Sequence, residues 1–427
     1  MLKTEYLQGA SAAFRLMIAT SWLAPDLWQK KQEDAIREAV GAGPAWTEYL
    51  GLVDRHRTPA LSWAALSRVP GITVPESARQ ELQNRSDACR SQAVRHCLLL
   101  AEVLKGFNRA GIPAMPFKGQ ILSYELYGDV GLRSSRDLDL AVPREHLARA
   151  QNCLENLGWG LDSTWFPLSP GQWERCLGQE HHLGFIHSNA GCILELHWRS
   201  ELDSSVQTSA RWARSIPSVW QGCPFQAMNP IDQALYLCSH GGEHAWFRAK
   251  WLGDLARVYA AGQVDWEAAL GEARRTGQER ALLAGLRILD LVYGLPLPGL
   301  PGNPWKELPP LLIEMPLHAL KDPEEPAMAM EISMASIRNR LHINHYERLL
   351  LPRKGWRDSL SRLLYHREDF RVLHLPDGLC WAYAPLHPIL WVWRWARQSS
   401  RGITSVVSLK PAMRGHFKTG HRNWPET

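Results

Sequence analysis

The spacing of apolar residues changes at Gly111, and this change constrains the fold more than any other feature of the sequence. Before Gly111, apolar residues recur every three or four positions, most clearly over residues 76–107, as on one face of an α-helix. After it come short alternating runs, such as residues 137–142, which are typical of strands. The helical spacing returns beyond about residue 200. We therefore predict an α+β fold in which a small mixed β-sheet core lies between N-terminal and C-terminal helical regions.

Local patterns place the elements of this core. Residues 114–117 form a short apolar run in which Pro116 confines the strand to a sheet edge or itself to a strand end, because proline cannot donate a ladder hydrogen bond. Residues 182–187 and 192–198 flank Ser-Asn-Ala-Gly, a typical hairpin connection. In the helix that precedes the core, the apolar face is predicted to consist of Val94, Cys97, Leu98, Leu100, Ala101, Leu104 and Phe107.

The same patterns divide the chain into four predicted parts. Residues 1–110 form an N-terminal helical region, residues 111–200 the core, and residues 201–398 a C-terminal helical domain. Residues 399–427 form a basic tail with five Lys or Arg residues and one acid, which carries most of the net charge of +5. The rest of the chain is therefore nearly neutral. A basic end could contact phosphates, but we expect a solvated, partly disordered tail instead.

Composition is that of an ordinary globular protein. Apolar residues make up 45% and charged residues 21% of the 427 positions, which excludes a wholly disordered or fibrous chain. No apolar run approaches the roughly 18 residues of a membrane span, and the first residues lack the pattern of a signal peptide. The eight cysteines include no C-x-x-C pair. We therefore expect a cytoplasmic protein with reduced thiols and no membrane span.

Two carboxylates in the alternating run are the first candidates for chemistry. Side chains two apart on a strand share a face, so Asp137 and Asp139 project together while Leu138 and Leu140 turn into the core. Carboxylates this close repel each other, and a divalent cation held through oxygen, Mg²⁺ or Mn²⁺, relieves the repulsion. Glu195 offers a third carboxylate in an otherwise apolar strand. If the two strands pair side by side, the three carboxylates converge on one metal site.

An ordered set of motifs surrounds these acids and resembles a known family. The motifs are Phe117-Lys118-Gly119, Tyr127-Gly128-Asp129, Arg133, Asp137 to Val142, and Glu195-Leu196-His197-Trp198. They resemble the nucleotidyltransferase-like family of the polymerase-beta superfamily, which is found in bacterial polysaccharide and peptide-natural-product gene clusters. The similarity covers most of residues 30–260 and reaches His240, His244 and residues 250–256. One position departs from the wider superfamily, because Gln120 stands where Ser or Gly usually follows the turn glycine.

The resemblance implies a metal-dependent nucleotidyltransferase that moves an NMP from an NTP to an acceptor and releases pyrophosphate. It implies that Asp137, Asp139 and Glu195 are the catalytic residues and the ligands of Mg²⁺ or Mn²⁺. It also implies that Lys118, Gly119, Arg133 and Lys250 bind the nucleotide. Arg136, like Arg133, lies just before the acidic run, where its positive charge favours a phosphate group, so we add it to the nucleotide-binding residues.

The acceptor stays open, since a fold does not name it. A small molecule such as a sugar, a peptide, a protein or RNA all remain possible acceptors. Two other functions also remain open: a non-catalytic nucleotide-binding scaffold in a biosynthetic complex, and a toxin-like transferase acting on tRNA. The intact set of three carboxylates favours an enzyme over the scaffold.

Histidines provide competing metal hypotheses. His240-Gly-Gly-Glu-His244 fits a zinc-peptidase pattern, but two adjacent glycines disfavour a helix interior, so we expect these histidines to pack near the cleft. His181 and His182 are expected to face opposite ways on a strand and so not to share an ion. For His197, which shares a face with Glu195, an orienting role and simple packing are equally supported.

Tryptophan is unusually frequent, with 20 residues. The densest cluster lies in residues 390–395, where the side chains either form a partner or membrane-surface patch or pack into the core of the C-terminal domain. Core packing is the preferred interpretation.

Overall fold

The computed structural model describes residues 5–162, 166, 168–199, 205–321, 345–351 and 366–400. The chain divides into two compact units, Met1–Pro167 with Arg175–Asp358, and Leu168–Glu174 with Ser359–Thr427. The charged residues of the predicted basic tail all lie beyond residue 400, outside the described residues. The domain boundaries expected at residues 110, 200 and 398 stay predictions.

Five helices precede the sheet: α1 (Ala12–Thr20), α2 (Asp26–Gly41), α3 (Trp46–His56), α4 (Pro59–Ser67) and α5 (Glu76–Arg109). Helix α1 begins at Ser11, whose side chain accepts a hydrogen bond from the backbone N–H of Phe14 and so caps the helix. Its residues are apolar on nearly every side, and Leu16 and Ile18 are wholly buried. An all-apolar helix is stable only when other elements surround it, so α1 lies inside the N-terminal helical region.

Helix α5 confirms the predicted helix and most of its apolar face. Cys97, Leu104 and Phe107 are buried as expected. The placement of Val94 and Leu98 on this face is wrong, because the two side chains are 54% and 63% exposed. At about 100° per residue, both positions lie well to one side of the line that the buried residues follow along the helix.

The main sheet has five strands in the order β1-β2-β5-β4-β3: β1 (Met115–Pro116), β2 (Asp137–Ala141), β3 (Trp159–Leu161), β4 (His182–His187) and β5 (Ile193–His197). Strands β2 and β5 are parallel, and the other neighbours are antiparallel. The predicted hairpin of β4 and β5 and the edge position of Pro116 are both confirmed. The mixed sheet with helical regions on both sides in sequence confirms the α+β fold.

Three helices connect the strands: α6 (Gly119–Tyr127), α7 (Leu147–Asn156) and α8 (Pro170–Gln179). Helix α6 directly follows β1 and ends at Gly128, which takes the left-handed conformation that commonly terminates helices. Leu138 and Leu140 of β2 are buried, as their alternation with the two aspartates predicts. This alternation fixes the register of β2, because a shift by one residue would turn the leucines away from the hydrophobic core and place the carboxylates there instead.

A second, two-stranded sheet follows α9 (Ser205–Ala213) and consists of β6 (Ile216–Trp220) and β7 (Cys223–Ala227). The expectation of helices throughout this region is wrong here. The turn residues Gln221 and Gly222 both have positive φ, 47° and 76°, as a tight two-residue hairpin turn requires. Gly222 was the available signal, but the alternation around it is poor, since Val219 is 67% exposed.

The C-terminal part of the first unit is helical: α10 (Pro230–Glu243), α11 (Ala249–Ala260), α12 (Trp266–Thr276), α13 (Glu279–Tyr293) and α14 (Leu311–Lys321), with residues 345–350 also helical. These helices share one hydrophobic core with the N-terminal helices. The adjacent glycines of the histidine motif lie inside α10, contrary to expectation. A Cβ on Gly241 would lie 2.4 Å from the ring of the wholly buried Trp246, so close packing explains this glycine.

The second unit contains α15 (Arg367–Val372) and α16 (Tyr383–Ser400). The tryptophan cluster lies on α16. Trp391 is 56% and Trp393 is 38% exposed, so the predicted burial in a core is wrong for these two side chains. Tyr383 and Leu390 form the buried side of this helix. Among the described helices, none combines the length and the apolar character that crossing a bilayer requires.

Candidate functional site

Strands β2 and β5 place three carboxylates on one face of the sheet. The strands are parallel neighbours, and Asp139 pairs in register with Glu195. Asp137 lies two positions earlier on β2 and therefore shares the face of Asp139. Oxygens of Asp139 and Glu195 and a nitrogen of His197 all lie within 4.8 Å of one another. The side-by-side pairing on which the predicted convergence depended is therefore present.

Lys118 forms a buried ion pair with one of these acids. Its Nζ donates a hydrogen bond of 2.9 Å to Oδ1 of Asp139, and the two side chains are 16% and 2% exposed. Burial alone would lower the pKa of Lys118, but the charge of Asp139 raises it well above its usual value. Burial alone would raise the pKa of Asp139, but Lys118 and His197 hold it below its usual value. Both groups are thus ionised at neutral pH.

Gly119 joins this lysine to helix α6. Its φ of 57° is left-handed, which glycine adopts without strain. A Cβ at this position would lie 3.5 Å from Oγ of Ser135 and 3.7 Å from the carbonyl oxygen of Asp137. The first N–H groups of a helix have no partner within the helix. The start of α6 therefore lies directly beside the strand that carries Asp137 and Asp139.

His197 lies between two carboxylates. Its Nε2 is 3.4 Å from Oδ1 of Asp139 and 3.4 Å from Oε2 of Glu195. Burial alone would raise the pKa of Glu195, but the contact with His197 lowers it to about 2. Burial alone would lower the pKa of His197, but Asp139 and Glu195 raise it. Of the two interpretations left open for His197, the contact with the acids supports an orienting role.

Asp137 is held at the start of β2. Oγ of Ser135 donates to its backbone carbonyl oxygen at 2.9 Å and to its Oδ1 at 3.2 Å. Burial raises the pKa of Asp137, and the charges of Asp139 and Glu195 raise it further. Arg136, the neighbouring residue, is exposed. Burial first, and then the gathering of three acids on one face, therefore account for the raised pKa of Asp137.

Arg133 and Lys250 both connect the loop before β2 with helix α11. Nε of Arg133 donates a hydrogen bond of 2.8 Å to Oδ2 of Asp254, and the two side chains are 4% and 0% exposed. Nζ of Lys250 donates to the carbonyl oxygen of Ser134 at 3.0 Å. Burial lowers the pKa of Lys250 well below its usual value, and nearby positive charges, Arg133 first among them, lower it further.

Asp254 was not among the predicted site residues. The available signal was the spacing of four residues between Lys250 and Asp254, which puts both on one face of a helix that is otherwise apolar there. A lysine and an aspartate in such surroundings need partners, because burying unpaired charges is costly. Spacing alone does not name Arg133 as the partner of Asp254, since the two residues are 121 positions apart.

The expectation that His181 and His182 cannot serve one ion is wrong. Nitrogens of His181, His182 and His197 all lie within 4.8 Å of one another. Strand β4 begins at His182, so His181 lies before the strand and does not follow its alternation. Burial lowers the pKa of His182 to about 4, so its imidazole is neutral at neutral pH. It also holds the pKa of His181 well below its usual value.

His240 and His244 lie among aromatic rings. His240 stacks on Tyr236 with the ring centroids 5.7 Å apart, and His244 stacks on Trp251 at 4.8 Å. Neither histidine belongs to a group of potential metal ligands in the described part of the chain. This agrees with the expected packing role near the cleft.

The donor set of the acidic face suits a hard divalent cation. Carboxylate oxygens are the ligands that Mg²⁺ and Mn²⁺ prefer. The low pKa values of Asp139 and Glu195 keep both ionised, as ligation requires. A cation beside the three acids would also relieve the repulsion that raises the pKa of Asp137. The residues present therefore fit such an ion.

Comparisons with known proteins identify the family. A family described as an uncharacterised nucleotidyltransferase matches residues 43–294, more than half of the chain. No curated protein sequence matches the chain. A crystal structure of ANT(2″)-Ia in complex with adenylyl-2″-tobramycin is similar in part, with 14% identity, a TM-score of 0.32 and coverage of 42% of this chain and 98% of that chain. A solution structure of the antibiotic-resistance factor ANT(2″)-Ia has 15% identity, a TM-score of 0.32 and coverage of 43% and 94%.

The family match includes every predicted site residue, from Lys118 to Lys250. It also includes strands β2 and β5 and the start of α6, which together build the acidic face. The resemblance inferred from the motifs is confirmed, and the chain belongs to the uncharacterised nucleotidyltransferase family.

Proposed function

We propose that the protein transfers an NMP from an NTP to an acceptor and releases pyrophosphate, with Asp137, Asp139 and Glu195 as its catalytic residues. The observation that carries this proposal is the parallel register of β2 and β5, which pairs Asp139 with Glu195. Family membership supports nucleotidyl transfer as the reaction class. The assignment to the polymerase-beta superfamily belongs to the same proposal.

The three carboxylates would hold Mg²⁺ or Mn²⁺. Such an ion supplies a Lewis acid that activates the attacking oxygen and stabilises the charge on the leaving pyrophosphate. Asp139 and Glu195 stay ionised at neutral pH, since their pKa values are lowered. His197 contacts both carboxylates and fixes their positions.

Five residues would bind the nucleotide. Lys118 lies against Asp139 and is fully charged, so it would bind a phosphate beside the metal. Gly119 leaves the backbone at the start of α6 open to a phosphate, which helix N-termini favour. Arg133 uses one side of its guanidinium for Asp254 and would offer the other donors to a phosphate.

Lys250 and Arg136 complete the set. The pKa of Lys250 is lowered by burial and by nearby positive charges, and an incoming triphosphate would restore its charge. Arg136 is exposed on the loop before β2, where it would contact the outer phosphates. Catalysis then rests on positioning and charge neutralisation, as in other phosphoryl transfers.

The acceptor belongs to the proposal only as a class: a hydroxyl or phosphate of a small molecule, peptide, protein or RNA. Pyrophosphate release separates the enzyme from the scaffold alternative, because a scaffold binds nucleotide without turnover. The tRNA transferase alternative predicts salt-sensitive RNA binding that is lost when residues 399–427 are removed.

Calorimetric titration of each Mg²⁺-NTP into the full chain tests the site. We expect one nucleotide to bind, the Asp139→Asn variant to lose that binding, and the Asp87→Asn variant to keep it. Asp87 is exposed on α5, so its substitution removes an equal charge away from the acidic face. Equal nucleotide affinity in wild type and Asp139→Asn would refute the assignment. Circular dichroism of each variant confirms that it is folded.

A further inference from the structure

Three imidazoles lie beside the acidic face. His182 and His197 are direct partners across the antiparallel pair of β4 and β5, so the backbone holds their side chains together. The centroids of these two rings are 5.1 Å apart. His181 precedes β4, and its ring centroid is 4.5 Å from that of His182 and 5.8 Å from that of His197. One nitrogen from each ring lies within 4.8 Å of the other two.

Two nitrogens of this cluster, Nδ1 of His182 and Nδ1 of His197, are buried without a hydrogen-bond partner. Nε2 of His197 has its 3.4 Å contacts with Asp139 and Glu195. His197 as a whole is only 5% exposed, so these atoms gain little from water. A buried polar atom without a partner costs free energy, and each such atom in a folded protein needs an explanation. A bound metal ion is one partner that several imidazole nitrogens can share.

Glu195 lies beside two of the three imidazoles. Its Oε1 lies 3.9 Å from Nε2 of His182, and its Oε2 lies 3.4 Å from Nε2 of His197. In a tetrahedral zinc site with bonds of 2.0–2.1 Å, neighbouring ligand atoms are about 3.4 Å apart. A four-ligand site therefore requires the side chains of Glu195 and the histidines to turn toward one ion, while the strands keep their positions.

We propose that His181, His182, His197 and Glu195 form a binding site for one transition-metal ion of the zinc type. Imidazole nitrogens select Zn²⁺ and related ions, whereas Mg²⁺ prefers oxygen ligands. Three histidines and one carboxylate also match the ligand number of tetrahedral zinc sites. This site is distinct in its chemistry from the all-oxygen face of Asp137 and Asp139, although the two share Glu195.

The shared carboxylate has a consequence that rests on the proposed function. An ion held by the histidines withdraws Glu195 from the site proposed for Mg²⁺. Zinc is therefore expected to inhibit nucleotidyl transfer, and the inhibition is expected to weaken as Mg²⁺ is raised. The existence of the histidine site does not depend on this effect, because metal binding is measured without any nucleotide.

Cobalt titration of the full chain tests the proposal, since Co²⁺ replaces Zn²⁺ and its visible absorption distinguishes tetrahedral from octahedral ligation. The titration is made without Mg²⁺, because Mg²⁺ at the acidic face would compete with Co²⁺ for Glu195. We expect a tetrahedral spectrum that saturates at one ion per chain. His182→Gln should weaken Co²⁺ binding by more than the roughly 10–100-fold that the loss of an outer-shell partner costs.

Three further variants make the result specific. His181→Gln should weaken Co²⁺ binding as His182→Gln does, and it leaves the β4 ladder intact because His181 precedes the strand. His318→Gln should bind as the wild type does, because His318 is exposed on α14. Asp137→Asn should also keep the tetrahedral spectrum, since Asp137 is not a ligand of this site. Circular dichroism checks the fold of each variant.

The opposite pattern would overturn the proposal. An octahedral spectrum, or Co²⁺ binding that neither His181→Gln nor His182→Gln weakens in folded protein, would place the ion elsewhere. Loss of the spectrum in Asp137→Asn alone would assign the ion to the acidic face. Nucleotide binding that Asp139→Asn fails to abolish would instead count against the proposed function and would leave the cobalt result unaffected.

Discussion

At the scale of single residues, His56 shows how the N-terminal region depends on a neutral imidazole. It is the last residue of α3 and is wholly buried. Its Nδ1 accepts a hydrogen bond of 2.9 Å from the backbone N–H of Ala249, at the start of α11. Burial lowers the pKa of His56 to about 3, and the charges of Arg55 and Arg248 contribute to the shift.

This lowered pKa predicts a pH dependence of stability. In the unfolded chain His56 takes up a proton near pH 6.5, but in the folded chain only near pH 3. Its contribution is therefore greatest above pH 6.5 and falls by up to about 1.4 kcal/mol per pH unit as the pH drops toward 3. His56→Asn keeps an acceptor that does not titrate, so urea unfolding across this range should show a shallower loss. Parallel curves for the two proteins would contradict the prediction.

The residues of the acidic face could be predicted because local alternation fixes which side chains share a face. The two-residue period of a strand is enough to predict that Asp137 and Asp139 share a face. Glu195 could be selected because it is a carboxylate in an otherwise apolar strand. The ion pair of Arg133 and Asp254 could not be predicted in this way, because no local period relates residues so far apart. The direction of the His181 side chain was predicted wrongly, because strand alternation was applied to a residue that lies before the first residue of β4.

At the scale of elements, α11 packs closely on the end of α1. A Cβ on Gly253 would lie 2.5 Å from the backbone carbonyl oxygen of Ser21. That distance is too short for any side chain, so glycine is required for the two elements to approach. Helix α11 also carries Lys250 and Asp254, so this contact helps to position both side chains.

Two glycine-to-alanine variants in neighbouring helices test this packing. Gly253→Ala should lower the free energy of unfolding by about 1–3 kcal/mol, because the new methyl group meets backbone. Gly271→Ala on α12 should raise it by about 0.4–1 kcal/mol, because a Cβ there meets no atom within 4 Å and alanine favours a helix. Urea unfolding measures both values. Equal effects of the two substitutions would show that the approach of α11 to Ser21 is not tight.

Elements were predictable from sequence where their period was strong. Helix α5 and the hairpin of β4 and β5 have clear periods and were predicted. The hairpin of β6 and β7 was missed because Ile216 and Val219 are exposed apolar residues that break the usual alternation. The parallel pairing of β2 with β5 could not be predicted, because the sequence of a strand does not specify which strand lies beside it. The convergence of the three carboxylates was therefore predicted only on the condition that these strands pair.

At the scale of the whole molecule, the Arg133–Asp254 ion pair ties the loop before β2 to the C-terminal helices. The pair is 2.8 Å long and nearly inaccessible to water. The penalty for burying two charges is large, so such a pair adds little net stability but is costly to break on one side. It therefore holds two distant parts of the first unit in one arrangement.

Breaking this pair on one side should destabilise the first unit strongly. Asp254→Leu leaves the guanidinium of Arg133 buried without its partner and should cost about 3–5 kcal/mol. The double variant Arg133→Met/Asp254→Leu should cost less than Asp254→Leu alone, because no charge is left unpaired. Urea unfolding of both variants measures these effects.

The ion pair of Arg90 and Asp129 provides a control, since its side chains are 47% and 32% exposed. Arg90→Met should cost no more than about 1 kcal/mol, as exposed pairs contribute little. A double variant that is less stable than Asp254→Leu would show that the unpaired charge of Arg133 is not the reason why the single substitution is costly.

The parallel pairing of β2 with β5 also sets the order in which a growing chain acquires its acidic face. A ribosome completes β2 first, and α7, β3, α8 and β4 follow before β5 emerges. Until then Asp139 has neither Glu195 nor His197 beside it, and contacts between distant residues form slowly because a long loop must close. Lys250 and Asp254 arrive later still. Translation that stops before residue 193 therefore yields a product that lacks Glu195 and His197, and the proposed nucleotidyl transfer requires a nearly complete core.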